Sequence, residues 1–177
     1  KLPELLDAVN QFSYHMQSLD QRAVAQARSY AQSYTSIFGS NVPPSFIDLG
    51  HFAALTYKYS GDNATRQQAN NILSALSKVI VAEKHGPSKP GSTGIAIYFP
   101  NSQLYSNNST GMASYSVIAD SFSRASLWDD FLGYHYAGRK FTADALEAVN
   151  ISRASQIPGA GTVTVSNISA TANRVSP

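Results

Sequence analysis

The sequence has no cysteine among its 177 residues. That excludes disulfides, thiolate metal sites and a thiol nucleophile supplied by the chain itself. It does not decide the compartment, since cysteine-free domains occur on both sides of a membrane. Charge imbalance is also missing: 13 Lys and Arg against 11 Asp and Glu leave a net charge of +2. The basic residues are scattered rather than gathered into a stripe, so nucleic acid is not an expected partner. Apolar runs fall far short of the roughly 18 residues that span a bilayer, so no membrane partner is expected either. No initiator Met and no signal-peptide pattern precede Lys1, and the chain reads as a processed or trimmed piece of something longer.

What is present points to a folded core. The hydrophobic fraction is 43%, ordinary for a globular protein and too high for a disordered one. Ser, Asn, Gln and Tyr are plentiful while charged residues make up only 14%, a composition leaning towards an exported bacterial protein, extracellular or in the cell envelope. Asn-x-Ser/Thr triplets at Asn63, Asn107, Asn108, Asn150 and Asn167 matter only in a glycosylating pathway, and a chain this rich in Asn and Ser produces them by coincidence.

Periodicity divides the chain. Leu2, Leu5, Leu6, Val9, Phe12, Met16 and Leu19 recur at steps of three and four, giving a first helix with Pro3 in its opening turn. A second helix is expected at about 19–36, opened by a Ser18–Gln21 capping box. After the break GSNVPP (39–44), Ser45 and Asp48 read as a second box opening a helix at about 46–59. Gly61-Asp62 stops it and starts another. Ala69, Ile72, Leu73, Leu76, Val79 and Ile80 give that helix a clean apolar face, running to near His85-Gly86. GIAIYFP (94–100) is short, apolar and bounded by Gly and Pro, and is expected as a buried strand. Two amphipathic stretches follow at about 113–124 and 127–137, the second opened by a Ser126–Asp129 box. The fragment is thus expected to be mostly helical with one or two strands. Residues 141–177 read as a linker or tail towards a further domain, with a short helical turn at 144–153, a linker at 157–161 and a weak strand at 162–165. One strand cannot form a sheet. Its backbone needs partners, from the tail strand near 162–166 or from strands outside this chain, and this mismatch is the hint that a partner segment is missing.

No residue set in the chain supplies a self-sufficient active site. His15, His51, His85 and His135 do not pair with an acid or another His at the i, i+4 spacing of a helix-borne metal site. Asp48 precedes His51 by three residues on one helical face and could orient it as an acid–base pair. The plainer reading is a helix-start carboxylate beside a packed imidazole. His85 is expected at a helix C-terminus, where a cation suits the dipole. His135, between two tyrosines, is expected to pack. Asp129 and Asp130 point about 100° apart on a helix, so they are not read as a shared acid site; Asp129 is read as part of the helix cap, where it offsets the N-terminal dipole. There is no G-x-S-x-G elbow, P-loop, dinucleotide fingerprint or EF-hand loop.

Three blocks together resemble the clostripain family of caspase-like cysteine peptidases. FIDLGHF (46–52) is similar to the family's Ile-Asp-Leu helix start. GIAIYFPN (94–101) resembles its Gly-hydrophobic-Ser-Ile-Tyr-Phe-Pro strand, with Ala96 in place of the Ser. SLWDDFLGYHY (126–136) is similar to the Trp-x-x-Phe-Leu helix that follows. Order and spacing agree, and the resemblance covers about residues 1–140. It implies the C-terminal part of a cysteine endopeptidase cutting after Arg or Lys, α/β in the intact protein, with a caspase-like sheet flanked by helices. A His–Cys dyad with an oxyanion hole would do the chemistry. Both dyad positions lie upstream of the first block, so no catalytic, cofactor-binding or metal-binding residue is assigned to this chain. The implied partners are the upstream catalytic segment of the same precursor and a peptide or protein substrate. Calcium is possible for the intact enzyme. The alternative is a non-catalytic scaffold or surface-binding module derived from that fold. An independent hydrolase using His51 and Asp48 ranks last.

Overall fold

The computed structural model describes residues 1–34, 43–109 and 111–147. The readings of residues 39–42 as a break and of the tail beyond residue 147 as linker and strand lie outside them. Helix α1 is Leu2–Met16, and it buries Leu5, Val9, Phe12 and Met16 on one face as the spacing demands. Helix α2 is Gln21–Tyr30, and its cap is Asp20, which accepts from the Arg22 N–H at 2.9 Å. The Ser18–Gln21 box does not form. The Ser18 hydroxyl donates back to the His15 carbonyl at 2.7 Å, and the Gln21 amide donates to the Met16 carbonyl at 2.8 Å. Both polar groups satisfy the otherwise orphaned C-terminal carbonyls of α1 instead of opening α2.

Three strands occur among the described residues, not one or two: β1 Ser33–Tyr34, β2 Phe46–Asp48 and β3 Ala96–Tyr98. They form one antiparallel sheet in the order β1-β2-β3. Ile47 pairs with Ser33 on one side and with Ile97 on the other. This corrects the second capping box. Phe46–Asp48 is held extended by strands on both flanks, so helix α3 begins only at Leu49 and runs to Ser60. Asp48, not Ser45, is its cap, accepting from the His51 N–H at 2.9 Å. The helix stops at Gly61, whose φ of 72° is the left-handed conformation glycine adopts without strain.

Helix α4, Asn63–Val79, is capped by Asp62. It ends six residues short of the expected His85. The β-branched run Val79-Ile80-Val81 favours extended backbone, and Ile80 leaves the helix at φ −83°, ψ 116° to pack against the core. After β3, Asn101 caps the short helix α5, Ser102–Tyr105. The expected helix at 113–124 is two pieces, α6 Met112–Ile118 and α7 Asp120–Ala125, broken at Ala119. Helix α8 is Trp128–Ala137, without a side-chain cap; Ser126 Oγ accepts weakly from the Trp128 N–H, at 3.4 Å, and the Ser126–Asp129 box is not made. Residues 143–147 add a helical turn.

The molecule is therefore mostly helical around a small sheet. α1 packs on α4 and α8, and α3 packs on α2 and α4. Phe12, Phe52, Phe99, Trp128 and Phe131 are fully buried at the centre. Phe52 meets Phe99 at 5.4 Å and Trp128 at 6.2 Å, both edge-on, the favourable arrangement for aromatic quadrupoles. Asn10 is a buried polar tie: its side chain donates to the Ala125 carbonyl and accepts from the Leu127 N–H, joining α1 to the start of α8. Among the described residues, no helix is long and apolar enough to cross a membrane.

Candidate functional site

Asp48 is only 1% exposed and anchors the junction of β2 and α3. One carboxylate oxygen accepts from the His51 N–H at 2.9 Å and from the Thr93 hydroxyl at 2.5 Å. The other accepts from the Thr93 N–H at 2.6 Å and from Tyr34 Oη at 3.4 Å. Tyr34 in turn lies 2.6 Å from Ser92 Oγ. Asp48 thus meets the backbone of His51, not its ring. The ring's Nδ1 accepts from the Gln32 N–H at 3.1 Å, which places the proton of a neutral imidazole on Nε2. Gly91 lies so close that a Cβ there would sit 2.1 Å from Nδ1. His51 and Asp48 are side by side but do not form an acid–base dyad; each is committed to holding the 91–93 segment and β1 against α3.

The other histidines are equally engaged. His15 Nε2 lies 2.7 Å from Thr65 Oγ1, reaching from α1 to the first turn of α4 near Asp62, a contact across 50 residues that no local spacing reveals. His85 is beyond the end of α4, paired at 3.0 Å with Glu83. His135 packs edge-on to Phe99 at 5.3 Å, with Nδ1 2.8 Å from Gln21 Oε1. Burial, with Arg28 nearby, pushes its pKa down to about 4, so it is neutral at physiological pH.

Asp129 and Asp130 both sit in the first turn of α8, as the dipole reading of Asp129 expects, though neither caps the helix, and both line one pocket of about 490 Å³ with Tyr105, Ser116 and Arg139. Burial first and the neighbouring Asp129 second raise Asp130 to about 6. Burial also raises Asp129. Among the described residues no three His, Cys, Asp or Glu side chains converge as a metal group.

Another open feature among the described residues is apolar. A cleft of about 720 Å³ lies along β3, lined by Leu2 and Leu5 of α1, Tyr115 of α6 and Phe122 of α7 among others. Leu2, in its lining, is 67% exposed. The register explains what the cleft presents. Leu49 donates to the Ile95 carbonyl and Phe99 donates to the Ser45 carbonyl, so the backbone groups of residues 95, 97 and 99 face β2. Those of Ala96 and Tyr98 face the opposite way. Trp128 Nε1 occupies the Tyr98 carbonyl at 2.6 Å. Ala96, exposed and lining the cleft, presents its backbone groups there.

The strand's need for partners was the one sign of this feature in the sequence. The partner on one side is β2, with β1 beyond it, from within the chain itself, which corrects the expectation of the tail or of strands outside the chain; the cleft also lies along β3. Its walls come from segments about a hundred residues apart, and no local pattern joins them. Comparison of the chain with protein-family models, with curated proteins and with solved structures gives no match.

Proposed function

We propose that this chain is the C-terminal, non-nucleophile portion of a clostripain-like cysteine endopeptidase cutting after Arg or Lys. In this reading it packs on an upstream segment that carries the His–Cys dyad, and the three strands extend a larger caspase-like sheet in the intact α/β protein. The observation that carries the reading is the open apolar cleft beside β3, in a chain with no thiol and with its histidines bound into structural contacts. A surface that apolar is stabilised by being covered, at roughly 25 cal/mol per Å² of apolar area removed from water. The three blocks that carry the family resemblance add support. Their residues Phe52, Phe99 and Trp128 meet in one aromatic cluster, so the three blocks pack together.

The test is peptidase activity of the encoded polypeptide including whatever lies upstream of Lys1. Hydrolysis of Arg- and Lys-bearing fluorogenic peptides is expected, with activity abolished by thiol alkylation. The 177 residues alone are expected to be inactive. His51→Ala should change turnover of the full polypeptide by less than about tenfold, since the ring serves packing rather than the reaction. Turnover by the isolated chain, or activity indifferent to alkylation, would overturn the proposal.

A further inference from the structure

We infer that the pocket between β1 and the loop joining α4 to β3 binds the phosphate group of a small phosphomonoester, with Lys89 as its principal cation. The inference stands apart from the peptidase reading and needs no upstream segment. It rests on a cavity, on a lysine held there without a counterion, and on the groups fixed around it.

The pocket has a volume of about 490 Å³, and its polar side chains are Tyr34, Glu83, Lys84, His85, Lys89 and Ser92. Lys89 is half-buried. Its ammonium donates to the Ser33 carbonyl at 2.7 Å and lies 5.3 Å from the centre of the Tyr34 ring. Both neighbours are uncharged. Among the described residues Lys89 forms no ion pair with a carboxylate. The buried Asp48 carboxylate is taken up by His51, Thr93 and Tyr34. A cation withdrawn from water is ordinarily paired, and a bound anion supplies the charge that is lacking here. One of the three ammonium donors is used on Ser33, which leaves two for a ligand. Lys84 adds a second, exposed cation to the same lining. Glu83 is the one carboxylate of the lining among the described residues, and it is paired with His85 at 3.0 Å. The kind of anion follows from the donors. The lining holds no arginine, so the planar fork that grips a flat carboxylate with two parallel bonds is missing. It holds point charges and hydroxyls instead, drawn from β1 and from both ends of the loop, which suits a tetrahedral anion. The hydroxyls are fixed in advance. Ser92 Oγ lies 2.6 Å from Tyr34 Oη, and Asp48 grips the adjacent Thr93 through its N–H and its hydroxyl. Such a site binds with little ordering cost. Ala82 and Ile95 also line the pocket, and its volume is that of a small-molecule site, so the carbon portion of an ester has room beside the phosphate.

Glycerol 3-phosphate, titrated into the nitrogen-15-labelled 177-residue chain at fixed ionic strength, tests this through amide chemical shifts. Saturable shifts are expected at residues 83–94 and around Tyr34. Lys89→Gln should weaken binding by about tenfold or more, and Lys84→Gln by about threefold. Lys84 makes no hydrogen bond or ion pair among the described residues, so its variant carries the test even where Lys89→Gln disturbs the loop. Lys58→Gln, on an exposed position of α3, should leave binding unchanged. Inorganic phosphate should shift the same amides, and acetate should bind at least about tenfold more weakly than glycerol 3-phosphate. The proposal is overturned if shifts fail to saturate, if they spread evenly over lysines across the surface, or if neither Lys89→Gln nor Lys84→Gln weakens binding. Acetate binding as tightly as glycerol 3-phosphate would overturn the tetrahedral class. Inorganic phosphate binding while glycerol 3-phosphate is excluded would overturn the ester.

Discussion

Asp48 shows how a single carboxylate can serve as architecture while looking like chemistry. It lies three residues before a histidine, as many catalytic acids do, yet all its interactions point into the fold: the α3 N-terminus, Thr93 and Tyr34. Removing it strands several donors in a buried place. Asp48→Ala is expected to cost about 2–4 kcal/mol in urea unfolding, well above the cost of an ordinary exposed cap. His51→Ala should cost about 1 kcal/mol, for one hydrogen bond and its packing on Gly91. Equal costs would mean that the ring carries more than the Gln32 contact. Asp130 acts in the opposite sense. Its pKa is raised to about 6 by burial and by Asp129, against 3.8 ordinarily. The folded state therefore holds this proton more tightly than the unfolded chain, and stability falls as pH rises from about 4 through 6. Asp130→Asn should raise the melting temperature at pH 7–8 by about 2–4 °C, or about 1 kcal/mol once its half-exposure and the lost dipole interaction are allowed for. Parent and variant should converge below pH 4.

At the scale of elements, what the sequence revealed followed the range of the forces involved. α1, α4 and α8 were legible because each buries a 3.6-residue stripe, and a stripe is written within a dozen residues. β3 was legible because an apolar run between Gly and Pro has few other uses. The misplacements came where a distant partner overrode a local signal. Ser45 reads as a cap until Phe46–Asp48 is drawn extended between β1 and β3, which are 14 and 50 residues away. α4 reads to His85 until Ile80 is drawn to the core. Trp128 illustrates the same coupling in a form that can be measured. Its indole N–H donates to the Tyr98 carbonyl at 2.6 Å, so helix α8 closes part of the β3 edge. Trp128→Phe keeps an aromatic ring in the cluster but removes that donor. It should destabilise by about 1–3 kcal/mol beyond the loss of ring volume, because a buried carbonyl loses its partner. Amides around β3 should exchange faster than those of α3 or α4. A uniform change across the molecule would mean that the indole contributes volume alone.

At the scale of the whole molecule, the candidate site was the least legible part, because a cleft is a relation between surfaces and not a property of any segment. Leu2 reads as a core residue from its spacing and is 67% exposed in the fold; only the joint placement of α1, β3 and α7 shows why. The pH dependence of stability is collective in the same way. His135 is buried neutral with a pKa near 4, below the ordinary 6.5. The unfolded chain takes up that proton first, so His135 makes stability fall as pH drops from about 6.5 to 4. Asp130 makes stability rise over nearly the same interval, and Asp129, raised by burial, shares its sign. Charged groups around His135 act through Arg28, which discourages its protonation; the carboxylates face Arg139 instead. The two contributions therefore oppose each other, and the parent chain should show a shallow profile between pH 4.5 and 6. Each single variant should expose the other's slope. Asp130→Asn should lose melting temperature steadily as pH falls through that window. His135→Phe, which keeps a ring against Phe99, should gain it. Melting curves at half-unit pH steps separate these outcomes, and slopes of the same sign in both variants would show that other groups dominate the proton balance.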